Sequence, residues 1–174
     1  MTYAFPPGGL PDQSVNPEGT AIFTQAYAVL PAITQRDIVT SLLPGWEHTR
    51  AWILARPLSG FAETFAQYAI ELSPGGGSAA PEPDREAQAV LLVAHGHPRL
   101  TLGEQAHALR PGSYVYVPPG VPWTLWNPTD EVCGIHWIRK RYQRVEGMEP
   151  APPLVTHDAD VPAVAMPDTN GAWA

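Results

Sequence analysis

Two histidines one residue apart are the first candidates for chemistry in this sequence. His95 and His97 lie in the segment VAHGHPRLTLGE, which covers residues 93–104. Side chains at positions i and i+2 of a β-strand share one face, so such a pair could hold a divalent metal through its imidazole nitrogens. A metal centre would need further ligands. The alternative is a pair of exposed or hydrogen-bonded histidines at a turn that leads to Pro98.

A second pattern, GSYVYVPPGVPWTLWN at residues 112–127, is more specific. It matches the form G-x5-P-x-G-x2-H-x3-N at every fixed position except the histidine, where Trp123 stands. This form is the second sequence motif of the cupins, which the chain therefore resembles. In metal-binding cupins the histidine enters the mouth of the barrel as a ligand, whereas an indole offers an N–H donor and cannot ligate a divalent metal.

The first cupin motif, G-x5-H-x-H-x3,4-E-x6-G, would supply the other three ligands. Its last glycine is best matched by Gly96, which places the glutamate position at Ala89. The H-x-H pair then falls near residues 83–85, where there is no histidine. We therefore expect no metal site in this chain, and we interpret His95 and His97 as turn histidines beyond the ligand strand.

An emptied metal site would leave the barrel mouth lined by other side chains. We expect the mouth to be filled in part by three indoles, either as core packing or as a stacking surface for a ligand: Trp123, Trp126 and Trp137. A small polar ligand in this pocket would be faced by Trp123, Gln88, His136 and Arg139. For His136, as for His107, the alternative is an ordinary packed or surface histidine on a strand.

A longer resemblance extends over roughly residues 20–160. The run SLLPGWEHTRAWILARPLSGFAETFAQYAIELSPGGG and the later run RKRYQRVEG resemble the N-terminal half of a two-cupin family, that of (S)-ureidoglycine aminohydrolase and glyoxylate-induced protein. The resemblance implies a manganese-dependent hydrolase of purine and allantoin catabolism whose metal ligands lie in the second cupin. It implies no catalytic residue and no cofactor in the half that this chain resembles.

Two functions from different classes stay open. The chain is the non-metal N-terminal half of a ureidoglycine aminohydrolase-like protein, with a structural or pocket-shaping role, or it is a stand-alone metal-free cupin that binds a small polar ligand. We expect a homo-oligomer or a second cupin domain as the partner. Whether the chain is itself an enzyme is left open, because the resemblance places the catalytic second cupin outside this sequence.

These residues are expected to lie on or between short strands. Apolar runs recur about every 8–12 residues between turn residues, a spacing typical of all-β sandwiches and barrels. RLTLGEQAHALRPG, at residues 99–112, predicts a hairpin with Gly103 and Glu104 near its turn. We find no convincing helical period. The sequence therefore predicts an all-β fold, a mainly antiparallel double-stranded β-helix or jelly-roll barrel of the cupin type.

The two ends of the chain differ from the middle in amino-acid composition. Residues 1–19 are rich in Pro and Gly and are expected to form an N-terminal arm. The cupin barrel is expected to cover residues 20–144. Residues 145–174 are Pro-rich and weakly patterned, which is typical of a C-terminal extension or of a linker to an absent second cupin.

Charge and cysteine usage limit the possible partners and compartments. The formal net charge is −7, so the surface repels phosphate backbones and nucleic acid is not an expected partner. No apolar run reaches the roughly 18 residues that a membrane span needs, and the first residues do not resemble a signal peptide. A lone cysteine, Cys133, excludes an internal disulfide and fits the cytoplasm.

Overall fold

The computed structural model describes residues 21–23, 27–32, 43–56, 64–78, 80, 82–162 and 164. The predicted N-terminal arm at residues 1–19 lies outside these residues. None of the described segments forms a helix with the length and apolar character needed to cross a lipid bilayer.

Within the described ranges the chain forms β-strands and short 3-10 segments, among them Asp158–Asp160, with no α-helix. The strands are β1 (Ile22–Phe23), β2 (Ala28–Val29), β3 (Trp46–Ala55), β4 (Ala66–Ser78), β5 (Ala87–His95), β6 (Arg99–Leu102), β7 (Gln105–Ala108), β8 (Ser113–Val117), β9 (Trp123–Trp126), β10 (Cys133–Arg141) and β11 (Leu154–His157). The predicted all-β class is confirmed, and so is the hairpin of β6 and β7 with Gly103 and Glu104 at its turn.

Nine of these strands form one antiparallel sheet that curls on itself. Its order is β11-β8-β5-β10-β4-β9-β6-β7, and β3 pairs with β4 beside this path. Strands β1 and β2 form a separate two-stranded ribbon. The long strand β4 pairs with two different strands along this path. Its residues 66–72 pair with β10, and Gly77 pairs with Trp126 of β9. This is the curled antiparallel sheet expected of a cupin.

Strand β4 bends between Leu72 and Gly77. On the neighbouring strand Thr49 pairs with Leu72 and Glu47 pairs with Gly77, so a single residue of β3 faces four residues of β4. The bend carries β4 toward β9 at very close range, and a Cβ atom at position 77 would clash with the Leu125 carbonyl oxygen. A glycine is therefore required where the two strands meet.

Alternate residues of each strand fill the interior of the curl. In β5 the buried residues are Ala87, Ala89, Leu91 and Val93, and the residues between them face outward. The core that results includes Ile70, Leu72, Leu100, Val115, Leu125 and Ile135. The two-residue period fixes the face of every side chain on a strand, so it decides which of the predicted site residues can reach the barrel interior.

The Pro-rich C-terminal extension contributes a strand to the sheet. Strand β11 pairs antiparallel with β8, with Leu154 opposite Tyr116 and His157 opposite Ser113. The His157 Nε2 atom lies 2.8 Å from the Pro111 carbonyl oxygen, a contact that holds the end of β11 on the barrel. Residues 154–157 therefore belong to the sheet, while the boundary expected at residues 144 and 145 stays a prediction.

Candidate functional site

The motif at residues 112–127 carries Trp123 into the barrel. After β8 the chain turns at Gly120, whose φ of +82° lies in the left-handed region that glycine adopts freely. Strand β9 follows, with Trp123 4% exposed and opposite Leu102 of β6. The side chain at the motif's histidine position thus points into the barrel, as the motif predicts, and it is an indole.

Trp123 belongs to a cluster of four aromatic rings. Its indole meets Trp46 and Trp137 edge-on, with ring centroids 6.1 and 5.5 Å away. Trp46 stacks on Trp137 at 5.7 Å, and Tyr68 lies tilted against Trp137 at 5.0 Å. Offset and edge-to-face contacts at these distances are the favoured geometries of aromatic pairs. The four rings therefore support one another as a packed wall.

The structure excludes Trp126 from this cluster. We expected Trp126 to fill the mouth with Trp123, but its side chain is 45% exposed and reaches over Gly75 on the outside of the sheet. Three positions separate the two tryptophans on β9, and an odd separation places side chains on opposite faces of a strand.

A cavity of about 380 Å³ opens beside the rings and is called the barrel mouth here. Its wall contains the four aromatic residues together with Ser78, Glu82 and Arg139. The Trp137 indole nitrogen is buried and has no hydrogen-bond partner among the described residues. A buried donor without an acceptor costs roughly 1–3 kcal/mol, so an acceptor from a bound molecule or an ordered water would stabilise this wall.

Arg139 and Glu82 form the charged part of the barrel mouth. The Arg139 Nε and Nη2 groups donate to the two carboxylate oxygens of Glu82, each over 2.9 Å, which is a bidentate pair. The side chain of Arg139 is 29% exposed and that of Glu82 is 11% exposed. Hydrogen bonding to Glu82 raises the pKa of the Arg139 guanidinium above its usual value. The guanidinium therefore stays charged at every physiological pH.

The positions at which the cupin motifs carry metal ligands do not hold a ligand set. Trp123 takes the histidine position, and Ala89, buried and facing inward, takes the glutamate position. Residues 83–85 lie in the loop before β5, and the adjacent Glu82 is engaged by Arg139. No group of three His, Cys, Asp or Glu side chains in the described part of the chain could hold a metal ion. These residues do not fit a metal, and no chemical step is assigned to one.

His95 and His97 are exposed on either side of Gly96; His95 is the last residue of β5, and His97 lies between β5 and β6. The His95 Nδ1 atom lies 3.2 Å from the Val132 carbonyl oxygen, a contact at the surface. His107 lies on β7, the last strand in the sheet order, and is half-buried. His97 follows the strand, as we expected, but His95 is still part of β5, the strand that carries Ala89, so its interpretation as a turn histidine beyond that strand is wrong.

The structure brings two of the four predicted pocket residues together. Trp123 and Arg139 line the barrel mouth, whereas Gln88 and His136 lie on the outer face of the sheet. His136 and Arg139 are three residues apart on β10 and cannot share a face. The expected grouping of all four around one pocket is therefore corrected, and ligand binding by Trp123 and Arg139 stays a prediction.

The outer-face residues have surroundings of their own. The Tyr116 hydroxyl donates a hydrogen bond to Gln88 Oε1 over 3.0 Å. His136 borders a cavity of about 330 Å³ that Trp52 also lines. The Trp52 Nε1 and His136 Nδ1 atoms are buried without a partner in the part of the chain that the structure describes.

Glu82 is a site residue that the sequence reasoning missed. It pairs with Arg139 across a separation of 57 residues, which no local pattern reveals. A signal was nevertheless present, because Glu82 and Asp84 flank the position counted for the first histidine of the H-x-H pair. Acidic side chains at a place where the motif carries ligands could have been examined as partners for a cation.

Asn127, the last residue of the motif, ties the end of β9 to its neighbours. Its side chain is fully buried, and Nδ2 donates to the carbonyl oxygens of Leu72 over 3.0 Å and Glu131 over 2.7 Å. Its Oδ1 accepts hydrogen bonds from the Thr129 backbone N–H and hydroxyl. The Asn127 side chain therefore links β4, β9 and the loop before β10 through its hydrogen bonds.

Known proteins share this barrel. A family model described as a cupin domain matches residues 68–139. The (S)-ureidoglycine aminohydrolase of Escherichia coli (strain K12) is 30% identical over 118 residues, which are 68% of this chain and 44% of that protein. The chain thus spans less than half the length of this curated relative.

Two solved structures are similar in both sequence and fold. A glyoxylate-induced protein from Pseudomonas aeruginosa is 51% identical with a TM-score of 0.79, over 89% of this chain and 58% of that chain. The protein Ylba from E. coli is 28% identical with a TM-score of 0.66, over 72% of this chain and 51% of that chain. Residues 68–139 thus match a cupin domain, and the chain is similar to (S)-ureidoglycine aminohydrolase and to the glyoxylate-induced protein.

Proposed function

We propose that this chain is the non-metal N-terminal cupin half of a ureidoglycine aminohydrolase-like protein of purine and allantoin catabolism, with a structural or pocket-shaping role. The observation that carries the proposal is an intact cupin frame whose ligand positions hold side chains that cannot bind a metal, Trp123 and Ala89. The relatives support it, because each is much longer than the part that this chain matches.

The family's hydrolysis belongs, in this proposal, to a second cupin that carries the manganese. At the mouth of this barrel the Glu82 carboxylate and the Arg139 guanidinium are engaged with each other in a bidentate pair. The packed rings of Trp46, Trp123 and Trp137 present an apolar wall. The contribution of this half is therefore a rigid surface that excludes water and shapes the space beside it.

The outer face of the sheet supports a packing role. Neighbouring strands β5, β8, β10 and β11 present outward apolar side chains that are between 37% and 47% exposed: Leu92, Tyr114, Ile138 and Leu154. Contiguous exposed apolar surface is typical of an interface. We assign this face to a second cupin domain or to another copy of this chain.

The cytoplasm is the compartment that this proposal includes. Cys133 is fully buried as a free thiol, and burial raises the pKa of that thiol above its usual value. A protected, unpaired cysteine suits a reducing compartment.

An activity assay tests the proposed function. We expect the purified chain to release no ammonia from (S)-ureidoglycine above the spontaneous rate, with or without added MnCl2, because its barrel supplies no ligand set and no catalytic group. The E. coli (S)-ureidoglycine aminohydrolase, assayed in parallel, is the positive control. Manganese-dependent turnover by this chain alone would contradict the proposal.

The barrel mouth supports a second candidate function, a stand-alone metal-free cupin that binds a small polar ligand. Trp137 and Arg139 line the same cavity of about 380 Å³, and the indole N–H of Trp137 has no acceptor among the residues that the structure describes. Such a ligand would place its flat part against the rings. Native mass spectrometry separates the two functions: a stoichiometric bound molecule favours the second, and a bare chain that assembles into oligomers favours the first.

A further inference from the structure

Arg139 lies where the cupin motifs would place the centre of a metal site. Its Cα atom is the cross-strand partner of Ala89, the position of the motif's glutamate. Its guanidinium is bonded to Glu82, next to the counted H-x-H positions at 83–85. It also lines the same cavity as Trp123, the position of the motif's histidine. The counted ligand positions are therefore each linked to Arg139, by strand register, by a bond to a neighbouring residue or by a shared cavity, and Arg139 is positively charged.

Two carboxylates face this guanidinium from the loop before β5. Glu82 holds it in the bidentate pair, and an Asp84 carboxylate oxygen lies 3.5 Å from Arg139 Nη2. The same carboxylates shape their own loop, because Glu82 Oε1 accepts the Asp84 N–H over 3.1 Å and Asp84 Oδ1 accepts the Glu86 N–H over 3.0 Å. The acidic side chains are thus fixed around the cation by the fold of the loop itself.

We propose that the Arg139 guanidinium is a built-in cation that takes the structural place of the metal ion, with Glu82 and Asp84 as its acidic partners. A metal would draw the loop and β10 together by charge, and a tethered guanidinium with bidentate hydrogen bonds does the same. This inference rests on the proposed function in one respect, namely that the barrel holds no metal of its own.

Removal of Arg139 would leave two neighbouring carboxylates without the charge of its guanidinium. Without Arg139, the Glu82 and Asp84 side chains, 11% and 33% exposed, would face each other with little compensation. Arg141 also pairs with Asp84, but its Nε lies 3.9 Å away and its side chain is 73% exposed. Partly buried carboxylates without a counter-charge are costly, and a hard divalent cation that prefers oxygen ligands would relieve that cost.

Thermal unfolding of Arg139→Ala, with and without millimolar MnCl2 or CaCl2, is the test. We expect the Tm of the variant to fall by about 5–10 °C, because the loss of the guanidinium leaves the Glu82 carboxylate without its counter-charge. Either salt should restore a large part of this loss while leaving the wild-type Tm unchanged. Glu82→Gln combined with Arg139→Ala should be more stable than Arg139→Ala alone and should lose the response to salt.

Arg141→Ala is the matched control, because it removes an exposed arginine from the same strand. We expect it to change the Tm by about 1 °C and to show no response to divalent salt. If Arg139→Ala does not fold without added cation, recovery of folding with MnCl2 supports the inference and failure to recover overturns it. Equal responses of Arg139→Ala and of the double variant would also overturn it.

The two proposals fail in different ways in this experiment. A rise in the wild-type Tm with MnCl2 would show that the native barrel binds metal, and the proposed function would then be wrong. If Arg139→Ala folds and divalent salt changes neither its Tm nor that of the wild type, the inference that Arg139 replaces a metal ion is wrong. The proposed function would still stand.

Discussion

Replacing Trp123 with alanine is expected to lower the free energy of unfolding by about 3–5 kcal/mol. The indole is 4% exposed, and its ring centroid lies 6.1 Å from that of Trp46 and 5.5 Å from that of Trp137. Truncation removes the edge of the packed wall and leaves a void that the curled sheet can close only in part. The barrel mouth would also widen, because Trp123 forms part of its lining.

Trp126→Ala is the matched control for this prediction. Trp126 lies on the same strand, but its side chain is 45% exposed and faces away from the core. We expect it to cost about 1 kcal/mol or less, since surface truncations away from special features have small effects. Urea unfolding followed by far-UV circular dichroism measures both. Equal losses in the two variants would mean that Trp123 is not part of a packed cluster.

Asn127→Ala is expected to cost about 2–4 kcal/mol, nearly as much as the loss of the indole, although it removes far less apolar surface. The amide donates to the backbone carbonyl oxygens of Leu72, Ser73 and Glu131 and accepts from Thr129. Alanine would remove these hydrogen bonds, of which the one to Leu72 is buried and the others are partly buried, and it would leave a void at a fully buried position. Chemical denaturation at neutral pH gives the value.

Thr129→Val is the control for the asparagine. It removes the hydroxyl that donates to Asn127 Oδ1 over 2.7 Å and keeps the shape of the side chain. The expected loss is about 1 kcal/mol, that of a single hydrogen bond near the surface. The structural role given to Asn127 would be wrong if Asn127→Ala cost no more than Thr129→Val.

The strands and turns of the barrel could be predicted because the motif residues determine the backbone conformation close to them in sequence. Gly103 and Glu104 sit at a two-residue turn between β6 and β7, and the pattern around Gly120 brings the chain from β8 into β9. Each of these features depends on residues that are close in sequence. The inward direction of Trp123 follows from its fixed distance to the turn.

The composition of the site was harder to predict, for two physical reasons. Side-chain direction on a strand reverses with every residue, so a pocket assigned by strand alone placed Gln88, His136 and Trp126 on the wrong face. The ion pair of Glu82 with Arg139 joins a loop to a distant strand, and the register that brings them together is a property of the whole sheet.

Strand β11 shows a further limit of composition as a guide. Residues 154–157 lie in a Pro-rich region with weak patterning, and their pairing with β8 is decided by the unpaired edge that β8 offers. A strand of four residues contributes too few alternating positions to be recognised on its own. Edge pairing of this kind emerges from the tertiary fold.

The manganese content of the purified chain decides whether this barrel lacks a metal site. After equilibration with MnCl2 and removal of free ion, we expect far less than one equivalent of manganese per chain. We expect the same for Trp123→His, because one added imidazole cannot replace the ligands that Ala89 and the loop at 83–85 lack. One tightly bound manganese per wild-type chain would mean that the barrel has a metal site of its own.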